Sequence, residues 1–300
     1  MKRKTLSENY DYLKLKNLIR ELCEEYPFIK TGVIGRSCAG RDITALRIGN
    51  ASEYTLFAAS FHGSEHITGN VLMLFLEELA HSLKNNSSLA GINVQKALSG
   101  RGIIFVPRVN PDGCEISIKG AVACGTLEKQ IKRLCNGDFE HWNANLRGVD
   151  INHNFNAGWE KLKKEEIKNG IYGPSPTRYG GHRPESEPET LALCELCRNT
   201  KINHAVALHS QGEVIYWNYK DNHPPRAKRM AEIMATSSGY ALDSPTGLAL
   251  GGGFKDWFIE EFNRPGFTVE IGKGENPLPI NNAFNLYEEL REMFMLSSIM

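Results

Sequence analysis

Neither sign of charge is in excess in this 300-residue sequence, where 35 Lys and Arg stand against 35 Asp and Glu. Nucleic-acid binding ordinarily leaves a basic surplus, so the balance gives no reason to expect such a partner. Basic tracts such as KLKKEE and PPRAKRM are interrupted by acids or prolines, as solvated surface is. No apolar run reaches the roughly 18–20 residues of a membrane span. The opening MKRKTLSENYDYLKLKNLIREL is basic, but polar residues follow at once, whereas a secretory signal needs an unbroken apolar core. A cytoplasmic location is therefore expected. The seven cysteines (Cys23, Cys38, Cys114, Cys124, Cys135, Cys194, Cys197) are odd in number and scattered. A single CxxC, Cys194 to Cys197, has no second pair at zinc-ribbon spacing. It lies in SEPETLALCELCRNT, whose apolar spacing is helical, so buried, reduced thiols on one helix face are expected. There is no repeat, low-complexity linker or compositional break, and one domain over residues 1–300 is the expectation, with an N-terminal helix over about 7–26 packing on it.

What is present is ordinary globular composition, 41% hydrophobic and 23% charged. Leu15, Leu18, Ile19, Leu22 and Tyr26 fall at helical spacing. TGVIGRSCAGRDITALRIG (31–49) reads as a hairpin with Gly40 in its turn. YTLFAASF, RGIIFVPRVNPDG, NHAVALHSQG and GFTVEIG read as buried strands, the second ending in a Pro/Asp/Gly turn. ITGNVLMLFLEELAHSLK, PRAKRMAEIMATSSG and FNLYEELREMFMLSSI read as helices. Buried strands alternating with long helices predict an α/β fold, a mixed and mostly parallel sheet with helices on both faces. Ligands in such folds sit at the carboxyl ends of strands, which here are the segment after FAASF and the residue after AVAL.

The segment FAASFHGSEHITGN holds His62, Glu65 and His66 where a strand gives way to a helix. A hydrolytic zinc site needs three protein ligands and an open position for water. His62 and Glu65 can turn toward one point across a short loop relaxed by Gly63, and Glu65 at a helix start is favoured as the anion. His209, at another strand end, is the best-placed third ligand; the alternative is a hydrogen-bonded histidine with no metal. A rival reading takes His62, Glu65 and His66 as the inverted HxxEH motif, with both histidines as ligands and the glutamate as base. That motif needs continuous helix, and Gly63 and Ser64 are poor helix-interior residues. His66 is then a helix-start neighbour.

In order along the chain, IGRSCAGRDI, HGSE, VPRVNPDG, RGVDINHNF, GHRPESEPET, ALHSQG, GGGFKDW and FTVEIG resemble the carboxypeptidase A/B-like zinc peptidases. That resemblance implies a zinc carboxypeptidase fold, one zinc per chain bound by His62, Glu65 and His209, and Glu270 as the catalytic glutamate. Chemistry agrees, since a carboxylate beside an activated water can take its proton and hand it to the leaving amine. The structural alternative is a salt bridge from Glu270 to Lys273 or Arg264. The interval from Glu65 to His209 is longer than is usual for the family, and the excess is expected in a loop around residues 114–146.

Departures from the family pattern bear on substrate. The Asn-Arg pair that clamps a terminal carboxylate in true carboxypeptidases is Asn152 with His153 here. Histidine offers at most one, pH-dependent donor in place of a bidentate fork. Leu248 stands where the family has an active-site tyrosine. Lys255 occupies the position at the base of the specificity pocket, where it would favour an acidic group; the alternative is a snorkelling surface lysine. Arg147 is the nearest candidate for the oxyanion donor, with Arg133 a second. These departures, with HSQGEVIYW and NLRGVDIN, look like the γ-D-glutamyl-meso-diaminopimelate peptidase branch, whose substrate carries an extra carboxylate. The implied partner is a peptide, a muropeptide derived from peptidoglycan. Asn152, His153 and Lys255 would hold its acidic groups. Other readings are a carboxypeptidase on ordinary peptides, an amino-acid deacylase resembling aspartoacylase and succinylglutamate desuccinylase, and a non-enzymatic zinc scaffold. A deacylase would want an Arg clamp where His153 stands, and a closed structural site has no use for Glu270. Endo- or exopeptidase action and oligomeric state stay open at this point.

Overall fold

The computed structural model describes residues 8–300. Residues 1–7, which include the expected start of the first helix and the opening of the segment read for a secretory leader, lie outside the described residues. The first helix, α1, runs Tyr12–Glu25, capped by Asp11, whose carboxylate accepts from Lys14 N at 2.8 Å. It buries Leu15, Leu18, Ile19 and Leu22, the stripe its 3.6-residue period predicts.

Among the described residues, eight strands form one sheet: β1 (Lys30–Arg36), β2 (Asp42–Ile48), β3 (Tyr54–Ala59), β4 (Gly102–Val106), β5 (Ile202–His209), β6 (Val214–Tyr216), β7 (Ala241–Asp243) and β8 (Gly266–Glu270). Their spatial order is β1-β2-β4-β3-β5-β8-β6-β7. The central four, β4, β3, β5 and β8, are mutually parallel. The β1–β2 hairpin and the β8–β6 pairing are antiparallel, so the sheet is mixed and mostly parallel, as expected. Gly40 sits in the hairpin turn at φ +78°, a conformation glycine adopts without steric cost.

Side chains alternate across this sheet with period two. Phe57, Ala59, Val206, Leu208, Phe267 and Val269 join one core, covered by α1, α2 (Ile67–Lys84), α7 (Ala227–Ser238) and α9 (Ala283–Ser297). Leu56, Ala58, Ala205 and Ala207 join the other, beneath α6 (Pro188–Asn199) and α8 (Phe254–Phe262). Cys194 and Cys197 are buried on the inner face of α6 as free thiols. None of the helices is long and apolar enough to cross a membrane among the described residues.

Two expectations are corrected. NPDG does not end β4 in a turn: Pro111 opens α3 (Pro111–Lys119), and Asn110 caps it by accepting from Gly113 N at 2.9 Å. Residues 114–146 are not one continuous loop, since only 135–146 form a run of turns and irregular backbone. They continue through α3 and α4 (Glu128–Leu134), ahead of α5 (Trp159–Lys168), and close a small core of Ile116, Cys124, Ile131 and Trp142.

Candidate active site

The parallel strands bring three of the predicted residues to one edge. His209 is the last residue of β5, and Glu270, the last of β8, is its register partner. His62 follows the end of β3, and Gly63–Glu65 form a single tight 3-10 turn before α2. Continuous α-helix therefore does not run through HGSEH. Gly63 serves close approach: a Cβ there would sit 2.3 Å from the Trp142 carbonyl oxygen and 2.4 Å from that of Gly113.

Donor atoms converge where His62, Glu65 and His209 meet. His62 Nδ1 lies 2.8 Å from Glu65 Oε1, His209 Nδ1 lies 3.1 Å from Glu65 Oε2, and the two Nδ1 atoms are 3.3 Å apart. Two imidazole lone pairs this close to each other and to a carboxylate need a cation or a shared proton among them. Two imidazoles with one carboxylate are a donor set that zinc takes. Phe61 stacks on the His209 ring at 4.9 Å between centroids, which fixes its orientation.

Asp150, not singled out from the sequence, completes this arrangement. Its Oδ1 accepts from His62 Nε2 at 3.1 Å, so Nδ1 is the nitrogen left to face Glu65 and His209. A ligating histidine commonly has such a carboxylate behind it. Burial disfavours charge on His62, but Glu65 and Asp150 on either side lift its pKa well above the usual histidine value. Burial likewise opposes the Glu65 charge, yet His62 and His209 bring its pKa down to about 2. Burial opposes the charge of Asp150 as well, but His62 and then His153 hold it well below the carboxylate range.

The Glu270 carboxylate stands beside this cluster with no hydrogen bond or ion pair among the described residues. The two salt-bridge partners weighed for it are engaged elsewhere: Lys273 pairs with Glu213, and Arg264 donates to the Ile202 carbonyl at 2.6 Å. Burial, and then the charge of Glu65, push its pKa well above the ordinary glutamate value. An unpaired carboxylate held this way has the basicity a general base needs.

These residues open onto a cavity of about 480 Å³. Asn152 lines it; its Oδ1 accepts from Phe254 N at 2.9 Å, leaving the side-chain NH2 for a ligand. His153 lines it too, with Nδ1 donating to the Arg178 carbonyl at 2.9 Å. Lys255 is also at the wall and is buried, so it is no snorkelling surface lysine. Its ammonium is paired with Asp256 and donates to the Asn218 carbonyl at 2.6 Å. Leu248 lines the cavity, and a phenol is supplied from elsewhere by Tyr216, at the end of β6.

Two expectations find no place in the cavity wall. Arg147 is largely exposed, and its guanidinium lies 3.7 Å from Glu187. The second candidate, Arg133, lies on α4, which contributes no residue to the wall. His66 turns away from the ligand cluster to line a separate cavity with Asn9 and Phe139. Burial, and then Arg108, hold its pKa down to about 3.

Arg178 and Tyr216 line the cavity and were not foreseen. Nothing in the local pattern around TRYGG or EVIYW marks them; they reach the site through tertiary structure. Asp150 was legible in principle, since it lies within GVDINHNF itself.

The zinc carboxypeptidase family description matches residues 15–293. Among curated proteins, the chain is 37% identical over 291 residues to gamma-D-glutamyl-L-diamino acid endopeptidase 1 of Lysinibacillus sphaericus, covering 96% of this chain and 72% of that one. It is 34% identical over 282 residues to the uncharacterized protein YqgT of Bacillus subtilis (strain 168), covering 93% and 74%. Among solved structures, bovine thrombin-activatable fibrinolysis inhibitor in complex with tick carboxypeptidase inhibitor superposes with a TM-score of 0.76 at 20% identity, over 98% of this chain and 97% of that one. Murein-tripeptide amidase MpaA of Escherichia coli O157 gives 0.53 at 22% identity, over 87% and 91%.

Proposed function

The chain belongs to the zinc carboxypeptidase family, a metallopeptidase, and on that premise we propose that it hydrolyses the γ-D-glutamyl bond to meso-diaminopimelate in peptidoglycan-derived peptides. The observation that carries the reading is the clustering of His62, Glu65 and His209, with His62, His209 and an unpaired Glu270 side chain in the wall of one cavity. The likeness to an enzyme named for the γ-D-glutamyl–diamino acid bond, at 37% identity, supports the substrate class.

In this reading His62 and His209, through Nδ1, and Glu65, through its carboxylate, hold one zinc ion per chain. Such an ion supplies Lewis acidity toward the scissile carbonyl and the attacking water. Asp150 keeps the proton on His62 Nε2 and so keeps Nδ1 available. Glu270 takes the proton of the attacking water and delivers it to the leaving amine. Its raised pKa suits both halves, because a stronger base accepts more readily and its conjugate acid still donates to an amine. Asn152 and His153 line the wall for acidic groups of the substrate, with the Lys255–Asp256 pair in the same wall. The seven cysteines are free thiols, which fits a reducing cytoplasm and a soluble muropeptide as substrate.

The test is a substrate panel. Zinc-loaded protein is incubated with L-Ala-γ-D-Glu-meso-diaminopimelate and, separately, with peptides ending in ordinary L-residues. Release of diaminopimelate from the first alone is expected. Release of C-terminal residues from ordinary peptides would make the protein a general carboxypeptidase and overturn the substrate assignment.

A further inference from the structure

The charges in the cavity wall are almost all committed. Lys255 is paired with Asp256, Glu165 with Lys168 at 2.7 Å, and Asp150 with His62. Glu270 faces the ligand cluster. The remaining wall cation is Arg178, whose guanidinium has no hydrogen bond or ion pair among the described residues.

The backbone of Arg178 is far from idle. Its N–H donates to Asp150 Oδ2 at 2.8 Å, and its carbonyl accepts from His153 Nδ1 at 2.9 Å. It is held at φ +68°, a left-handed conformation that disfavours residues with a Cβ. Glycine would satisfy this backbone without strain, and an arginine kept there by two buried partners marks a place where the side chain is wanted. One of those partners, Asp150, also orients His62, and the other, His153, occupies the position of the second clamp residue. Arg178 is thus tied to the reacting end of the cavity by its main chain, with its side chain left unpaired.

We propose that Arg178 is the carboxylate-binding residue of this cavity, its guanidinium taking a carboxylate of the amino acid that hydrolysis releases, and that His153 is a positioning residue acting through the Arg178 carbonyl. A guanidinium fork is the side chain that binds a carboxylate in bidentate fashion. The negatively charged wall residues already have partners or face the ligand cluster, so an incoming carboxylate meets Arg178 without a competitor. This inference rests on the peptidase reading above and deepens it: binding of an acidic released residue moves to Arg178 from Lys255, already neutralised, and from His153, which serves the Arg178 backbone.

The experiment compares wild type with Arg178→Gln, Arg178→Lys and Arg178→Gly on three peptides: L-Ala-γ-D-Glu-meso-diaminopimelate, the same peptide with the α-carboxylate amidated, and the L-Lys analogue that lacks the side-chain carboxylate. On the first, Arg178→Gln is expected to lose about 30- to 100-fold in kcat/KM, mostly through KM, with Arg178→Lys intermediate. On whichever analogue lacks the bound carboxylate, wild type is already weakened, and the further loss in the variant is at least tenfold smaller; that analogue identifies the carboxylate. His153→Ala raises KM in the same substrate-selective way, and His153→Gln, which retains a donor, recovers part of it. A proportional loss on all three peptides, or no loss on the first, overturns the assignment. Arg178→Gly separates binding from folding. It is expected to melt no lower than wild type while losing the same selectivity, whereas a fall in melting temperature in step with activity makes the residue structural. If wild type cleaves none of the three, the substrate reading fails by itself. Arg178 is then judged by calorimetric titration of the zinc-loaded protein with pimelate. At least tenfold tighter binding by wild type than by Arg178→Gln upholds it, and equal affinity overturns it.

Discussion

The hydrogen bond from His62 Nε2 to Asp150 leaves a single ring nitrogen of His62 for Glu65 and His209. Replacing Asp150 by Asn keeps the shape and removes the charge that stabilises this orientation. Carboxylates of this kind are worth about 10–100-fold in metal affinity, so Asp150→Asn should bind zinc more weakly by that factor in a chelator competition. An unchanged affinity would mean that Asp150 serves the Arg178 backbone alone. At this scale the sequence was partly legible. His62, Glu65, His209 and Glu270 each end or follow an apolar strand, a pattern readable from residues alone. Asp150 and Arg178 act on partners 88 and 25 positions away, and no local spacing encodes such a meeting. Lys255 was placed at the pocket base by the family resemblance, but its neutralisation by the adjacent Asp256 depends on rotamers that sequence does not specify.

Elements with a strong period were read correctly, and those without one were not. α2 is apolar on nearly every side because it packs between the sheet and α9, and its bounds follow the apolar run. The three-residue strands β6 and β7 are too short to show alternation, yet β6 delivers Tyr216 to the cavity. The NPDG segment combined an Asn cap with Pro at the first helical position, a helix-start signal as well as a turn signal. Between elements, Glu189 on α6 accepts from Cys38 N in the β1–β2 turn at 3.0 Å and from Asn145 at 3.1 Å. Its burial raises the pKa to about 7, against an ordinary glutamate near 4.5. A folded-state pKa above the unfolded one favours the protonated native state. This contribution is present in full below pH about 4.5 and is lost as pH rises through about 7, amounting to about 3 kcal/mol on the linkage relation. Glu189→Gln, neutral throughout, should flatten the stability profile between pH 5 and 7 in denaturant titrations. A variant whose profile keeps the wild-type slope would place the titration elsewhere.

At the level of the whole molecule, the four central parallel strands end at a common edge, and three of them supply or precede the site residues. This placement follows from topology: in an open α/β sheet the carboxyl ends of strands form the crevice. A strand-helix alternation predicts that edge, whereas the order β1-β2-β4-β3-β5-β8-β6-β7 depends on crossovers that a linear pattern does not reveal. The division of labour across this edge is the central claim, with metal-holding residues on β5 and after β3, and a separate base on β8. Glu270→Gln tests it most directly, by zinc content and hydrolysis measured on the same preparation. The expected result is one zinc per chain with hydrolysis abolished. Loss of zinc together with activity would make Glu270 a ligand and contradict the assignment of His62, Glu65 and His209 as the complete protein ligand set.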